Sequence, residues 1–111
     1  LCPPHLAEQW QREMREKFHL EAELVLASTI ARLERGLPAQ RTIFEEHEVV
    51  VISTDLIKSE RHRLQFLRSA PELVIVDEAH TCAPLGGEKG SRHLRFELLR
   101  ELANKATRHL I

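Results

Sequence analysis

The run Leu73-Val74-Ile75-Val76-Asp77-Glu78-Ala79-His80 constrains the fold more than any other part of the chain. Four large or branched aliphatic residues without polar alternation predict a strand covered on both faces, as in a parallel sheet flanked by helices. Ligands of such sheets bind beyond the carboxyl ends of the strands, and Asp77 and Glu78 stand at that end. An aspartate there has the chemistry to hold the magnesium of a nucleotide, and a neighbouring glutamate to polarise the attacking water. The plainer reading is a helix N-terminal cap after a buried strand, where acidic residues are also favoured. A cap needs one carboxylate, however, and two are present.

The rest of the chain alternates helical and extended patterns, which argues for an α/β layered fold. Pro3 and Pro4 precede a stretch in which Leu6, Trp10, Met14 and Phe18 recur every fourth residue, predicting a helix with one apolar stripe. A short strand is expected around Leu24-Val25-Leu26, then a brief helix capped by Ser28 or Thr29 and ending near Gly36-Leu37-Pro38. Residues 48–52 predict a strand, and 59–69 a helix with Leu64 and Leu67 inward. The Gly- and Pro-rich stretch 81–90 predicts a loop. Ser91 is the expected cap of a helix striped by Leu94, Leu98, Leu102 and Ala106, ending within 104–107. His109-Leu110-Ile111 then begins what reads as another central strand.

Three of these stretches, taken in order, carry a family resemblance. Asp77-Glu78-Ala79-His80 resembles the second helicase motif, the Walker B or DEAH box, of superfamily-two nucleic-acid motors. Cys2-Pro3-Pro4-His5-Leu6-Ala7-Glu8-Gln9-Trp10 is similar to the Pro-x-x-Leu-x-x-Gln-Trp segment of the Swi/Snf-like branch, and Val50-Val51-Ile52-Ser53-Thr54-Asp55-Leu56 to its strand-plus-Ser/Thr motif. Within that branch, Asp-Glu-Ala-His-Thr-Cys-Ala and the Gly-rich insert look most like bacterial RNA-polymerase-associated and phage-defence (DISARM-type) members. The resemblance implies a RecA-like (P-loop NTPase) fold, a parallel sheet flanked by helices. It implies ATP and Mg2+ as cofactors and duplex DNA as a partner. Asp77 would contact the magnesium, Glu78 would serve as general base, and His80 would couple the nucleotide site to other motor motifs. Ser53 and Thr54, with His5 as a further candidate, would touch the nucleic-acid backbone, so binding would be sequence-tolerant and salt-sensitive. For Ser53 and Thr54, capping of a helix before Leu56 is an equal alternative. Lys58, Arg61 and Arg63 would extend that surface, unless they are simply a solvated helix face.

No Gly-x-x-x-x-Gly-Lys-Ser/Thr occurs in the chain, so the phosphate-cradling loop is absent. In the family that loop lies upstream of residue 1, and the Thr-Ala-Thr-Pro motif lies downstream of residue 111. Residues 1–111 are therefore expected to be part of the first RecA-like ATP-binding domain, incomplete and inactive alone, working against a second RecA-like domain of the same chain. Two rival readings stay open: a RecA-like interaction module without nucleotide chemistry, and a metal-dependent phosphoesterase with Asp55 as a further ligand. Zinc is not supported, because Cys2, Cys82 and the seven histidines lack paired-ligand spacing. Glu45-Glu46-His47-Glu48 reads as a solvated turn, and Gly86-Gly87-Glu88-Lys89-Gly90 as a flexible insert.

Composition sets only outer bounds. The chain is 42% hydrophobic and 30% charged, ordinary for a soluble globular domain, with 16 basic against 17 acidic residues. That balance exerts no global pull on nucleic acid. No apolar run is long enough to span a bilayer, and the start has neither the basic residues nor the apolar stretch of a signal peptide. Two cysteines make no disulfide framework, so a cytoplasmic setting is expected.

Overall fold

The computed structural model describes residues 1–69, 71–83, 90–106 and 109–111. A 3-10 turn, Pro4–Leu6, leads into α1 (Ala7–Phe18). There follow β1 (Glu23–Val25), α2 (Ile30–Arg35), α3 (Ile43–Glu46) and β2 (Val50–Ile52). A second 3-10 turn, Leu56–Lys58, precedes α4 (Glu60–Ser69), β3 (Leu73–Val74) and a third 3-10 turn, Ala79–Cys82. The chain continues through α5 (Ser91–Glu101), a π-type segment Leu102–Ala106 and β4 (His109–Leu110). Much of the expected 81–90 loop, residues 84–89 with Gly86 and Gly87, lies outside the described residues.

Among the described residues all strand pairing is parallel. β1 pairs with β2 in the register Glu23↔Val50, Leu24↔Val51, Val25↔Ile52, and β3 with β4 in the register Leu73↔His109, Val74↔Leu110. Residues 1 and 2 stitch the two pairs together. Cys2 bridges Ser53, donating its N–H to the Ile52 carbonyl at 3.0 Å and accepting from the Thr54 N–H at 2.9 Å. On its other side, the Leu1 amino group donates to the Ile75 carbonyl at 2.7 Å, and the Asp77 N–H donates to the Leu1 carbonyl at 2.8 Å. The hydrogen-bonded order is thus β1, β2, residues 1–2, β3, β4. Among the described residues β4 stands at the end of this order.

Side chains alternate across a strand, and two cores result. On one face Val25, Ile52 and Val74 meet Ile30, Ile43, Phe66, Leu98 and Leu102 from the helical segments that follow β1. On the other, Cys2 and Val51 pack with Ala7, Trp10 and Met14 of α1. Among the described residues only α1 lies on this second face, and it covers β1, β2 and residue 2. The expectation that the 73–76 strand is covered on both faces is therefore corrected: Val74 is buried, but Leu73 is 50% and Ile75 39% exposed.

Local expectations fared unevenly for identifiable reasons. Phe18 ends α1 in the open, where a left-handed His19 (φ 56°) closes the helix. In α4 the inward residue is Phe66, and Leu64 is exposed. Two residues advance a helix by about 200°, so both cannot face the core. Leu67 packs against that core from the side. The Thr29 hydroxyl does not cap α2; it donates to the Leu24 carbonyl at 2.7 Å and accepts from the Leu26 N–H at 3.0 Å, tying the helix start to β1. Ser91 opens α5 and does not cap it, the cap position falling on Gly90.

Of the turn expected at 45–48, Glu45 and Glu46 belong instead to the short helix α3, held by a capping box. Glu45 Oε2 accepts from the Thr42 backbone N–H at 2.8 Å and from its hydroxyl at 3.0 Å. Those bonds, the backbone one foremost, hold the Glu45 carboxyl below its ordinary range. Thr42→Ala is expected to destabilise the chain by about 1 kcal/mol. A depressed carboxyl stabilises above its unfolded pKa and ceases to do so as pH falls through the folded one. The penalty should therefore shrink in acid, and urea titrations at neutral and acidic pH that give equal penalties would count against the box.

Candidate functional site at the carboxyl edge of the sheet

The topology gathers the sequence candidates at one edge. Since the strands are parallel, residues that follow β2, residues 1–2 and β3 all emerge at the same end. Ser53 and Thr54 follow β2, His5 follows the Pro3-Pro4 step after Cys2, and Asp77 to His80 follow β3. β2 and β3 are separated only by residues 1–2, so their ends lie about 10 Å apart, two strand spacings.

Asp77 is fixed from two directions. Its N–H continues the ladder to Leu1, and its carboxylate Oδ2 accepts a hydrogen bond from Trp10 Nε1 at 2.8 Å. Trp10 packs beside Cys2, Ala7 and Val51, so α1 carries both the apolar contact and the polar tip. Periodicity placed Trp10 in the core and missed this partner. A half-buried indole N–H does require an acceptor, but only the fold identifies which one.

Glu78 adopts the left-handed conformation (φ 57°, ψ 42°), one of two non-glycine residues among those described to do so. This backbone turn ends the hydrogen-bonded extension of β3 directly after Asp77 and starts the 3-10 turn, whose first bond runs from the Thr81 N–H to the Glu78 carbonyl at 2.9 Å. The Glu78 side chain is exposed, with His80 Nε2 3.3 Å from its Oε2. The N-cap alternative is not realised: no helix-capping side-chain bond comes from Glu78.

Ser53 and Thr54 are only 1% and 4% exposed. Ser53 Oγ accepts from the Leu56 N–H at 3.3 Å, which is the capping role weighed for it. His5 is exposed on its turn. Lys58 pairs with Asp55 at 2.6 Å and Arg61 with Glu34 at 2.8 Å, so part of the expected basic surface is neutralised in place.

Among the described residues no group of three or more His, Cys, Asp or Glu is placed to hold a metal ion. Magnesium in nucleotide sites is held by one or two carboxylates, with substrate phosphates and water completing the shell. One carboxylate with an oxygen free fits that requirement, and Asp77 has one: Oδ2 carries the indole bond, and no other side-chain bond to Asp77 occurs among the described residues. Burial pushes the Cys2 thiol up, against the neighbouring amino group, as suits a packed cysteine.

No protein-family model matches the chain. Over 105 residues, 95% of its length, it is 31% identical to the uncharacterized ATP-dependent helicase YqhH of Bacillus subtilis, of which the match takes up 15%. It is 30% identical over 104 residues to the RNA polymerase-associated protein RapA of Pseudomonas syringae pv. tomato, covering 93% of the chain and 10% of that protein. RapA of Yersinia enterocolitica is 34% identical over 84 residues, 75% of the chain and 8% of the relative. The chain spans a small part of the length of each of these relatives.

Proposed function

This chain is homologous to a segment of the Swi/Snf-type superfamily-two helicases, and on that premise we propose that it is part of the first RecA-like domain of an ATP-dependent translocase or helicase acting on duplex DNA in the cytoplasm. In this reading Asp77 would hold a magnesium ion, which would supply neutralisation of the nucleotide's phosphate charge. Glu78 accepts a proton from the attacking water, and His80 beside it links that carboxylate to neighbouring motor segments. The phosphate loop comes from sequence upstream and an arginine finger from a second RecA-like domain, so the chain alone does not hydrolyse ATP. His5, exposed at the same sheet edge, is the side chain proposed to reach the nucleic-acid backbone. Ser53 and Thr54, expected to touch that backbone, are buried at 1% and 4% exposure, and Ser53 accepts from the Leu56 N–H, so neither is proposed as a contact.

The observation that carries this reading is the placement of Asp77 and Glu78 at the carboxyl edge of an all-parallel arrangement, with a backbone turn that separates the two carboxylates. The phosphoesterase alternative needs a second acidic ligand at the same edge, and Asp55 is occupied by Lys58. The interaction-module alternative leaves the adjacent carboxylates without a role. No helix among the described residues is long and apolar enough to cross a membrane.

The test is ATP hydrolysis by the full-length protein that carries this segment, with and without duplex DNA. Duplex DNA should raise turnover, increasingly so at low salt. No turnover under either condition overturns the motor reading, and magnesium-dependent phosphodiester cleavage without ATP would favour the phosphoesterase.

A further inference from the structure

We infer that Trp10 is a positioning residue for the carboxylate of Asp77, presenting one oxygen of that group to a nucleotide-bound divalent cation. The inference rests on the nucleotide reading above and adds a residue to it. Trp10 Nε1 lies 2.8 Å from Asp77 Oδ2, across 67 positions of sequence. An indole N–H only donates, so the bond engages one carboxylate oxygen and leaves the second for another ligand. The donor is rigidly mounted. Trp10 packs against the cluster of Cys2, Ala7, Ala22 and Val51, which fixes α1 to the sheet. Rotation of the carboxylate therefore breaks a bond to a side chain held in place by that packing.

Partners that hydrogen-bond to a metal-holding group orient it, and their loss weakens metal affinity about 10–100-fold. α1 is also the helix entered from the exposed His5 turn. Any contact that shifts α1 is thereby transmitted to the Asp77 carboxylate through a single bond.

Trp10 is the only tryptophan among these 111 residues, and its indole cross-peak in a 1H–15N spectrum of the full-length protein is assigned as the one that disappears in Trp10→Phe. Asp77→Ala should move that peak, whereas Glu78→Gln should leave it in place; a peak unmoved by Asp77→Ala overturns the inference. In the full-length protein, Mn2+ binding in the presence of ADP, followed by electron paramagnetic resonance, should weaken about 10-fold in Trp10→Phe. Replacing Trp10 by 3-benzothienylalanine, which keeps the ring shape and lacks the N–H, should weaken it equally. A loss of packing alone would spare that second variant. Wild-type affinity in the benzothienyl protein overturns the inference while leaving the nucleotide reading intact. Absence of Mn2+ and ADP binding in the wild type overturns both.

Discussion

Glu78→Gln in the full-length protein is expected to lower ATP hydrolysis by roughly 10²–10⁴-fold, the usual contribution of a positioned general base. Glutamine matches the shape of glutamate and cannot take a proton from water. The substitution should leave the thermal midpoint nearly unchanged, because the side chain is exposed and its neighbour His80 is exposed too. Exposed ion pairs contribute little to stability. A second variant separates chemistry from folding. Glu78 holds a left-handed backbone (φ 57°), which costs a non-glycine residue about 1–2 kcal/mol. Glu78→Gly should relieve that cost and raise the thermal midpoint while losing hydrolysis as completely as Glu78→Gln. Turnover within a few-fold of wild type in either variant would refute the assignment of Glu78 as base. Opposite movement of stability and activity is the expected signature of strain retained at a functional turn.

Phe66→Ala should produce the largest loss of stability, about 3–5 kcal/mol. Phe66 is 3% exposed and meets Phe44 edge-on, with ring centroids 5.3 Å apart and planes at 62°. It lies where α3 and α4 close over the sheet, so truncation leaves a cavity that a short helix has little freedom to fill. Small domains have a total stability of about 5–15 kcal/mol, and the loss is a large share of that. Leu64→Ala, on the opposite side of the same helix, should change stability by no more than about 0.5 kcal/mol. Midpoints from urea unfolding measure both, and similar penalties for the two would mean that the orientation of α4 is wrong.

The pair Leu64 and Phe66 also shows where sequence reasoning reached its limit. A helix over 59–69 was legible, since its charged and apolar residues recur near every third or fourth position. Which arc of that helix faces inward was not, because leucine and phenylalanine offer two competing stripes and only the neighbouring elements choose between them. The short helix Ile43–Glu46 was missed although Thr42 and Glu45 have capping-box spacing. Four residues are too few for periodicity to register.

By itself the sequence determined the order of strands and helices apart from the short helix Ile43–Glu46, the position of Asp77 and Glu78 beyond an aliphatic strand, and the likeness to helicases later matched by the relatives. These are local properties: runs of aliphatic residues, glycine and proline punctuation, and short motifs act over a few residues of chain. Tertiary structure alone decided that residues 1–2 lie between β2 and β3, that Ser53 and Thr54 turn inward, and that Leu73 and Ile75 lie outside the cover of α1. It also decided that the acceptor for Trp10 is Asp77, 67 residues away. Strand partners and hydrogen-bond acceptors at such separations are chosen by which packed faces meet, and a single sequence encodes which residues share a face without stating what covers it.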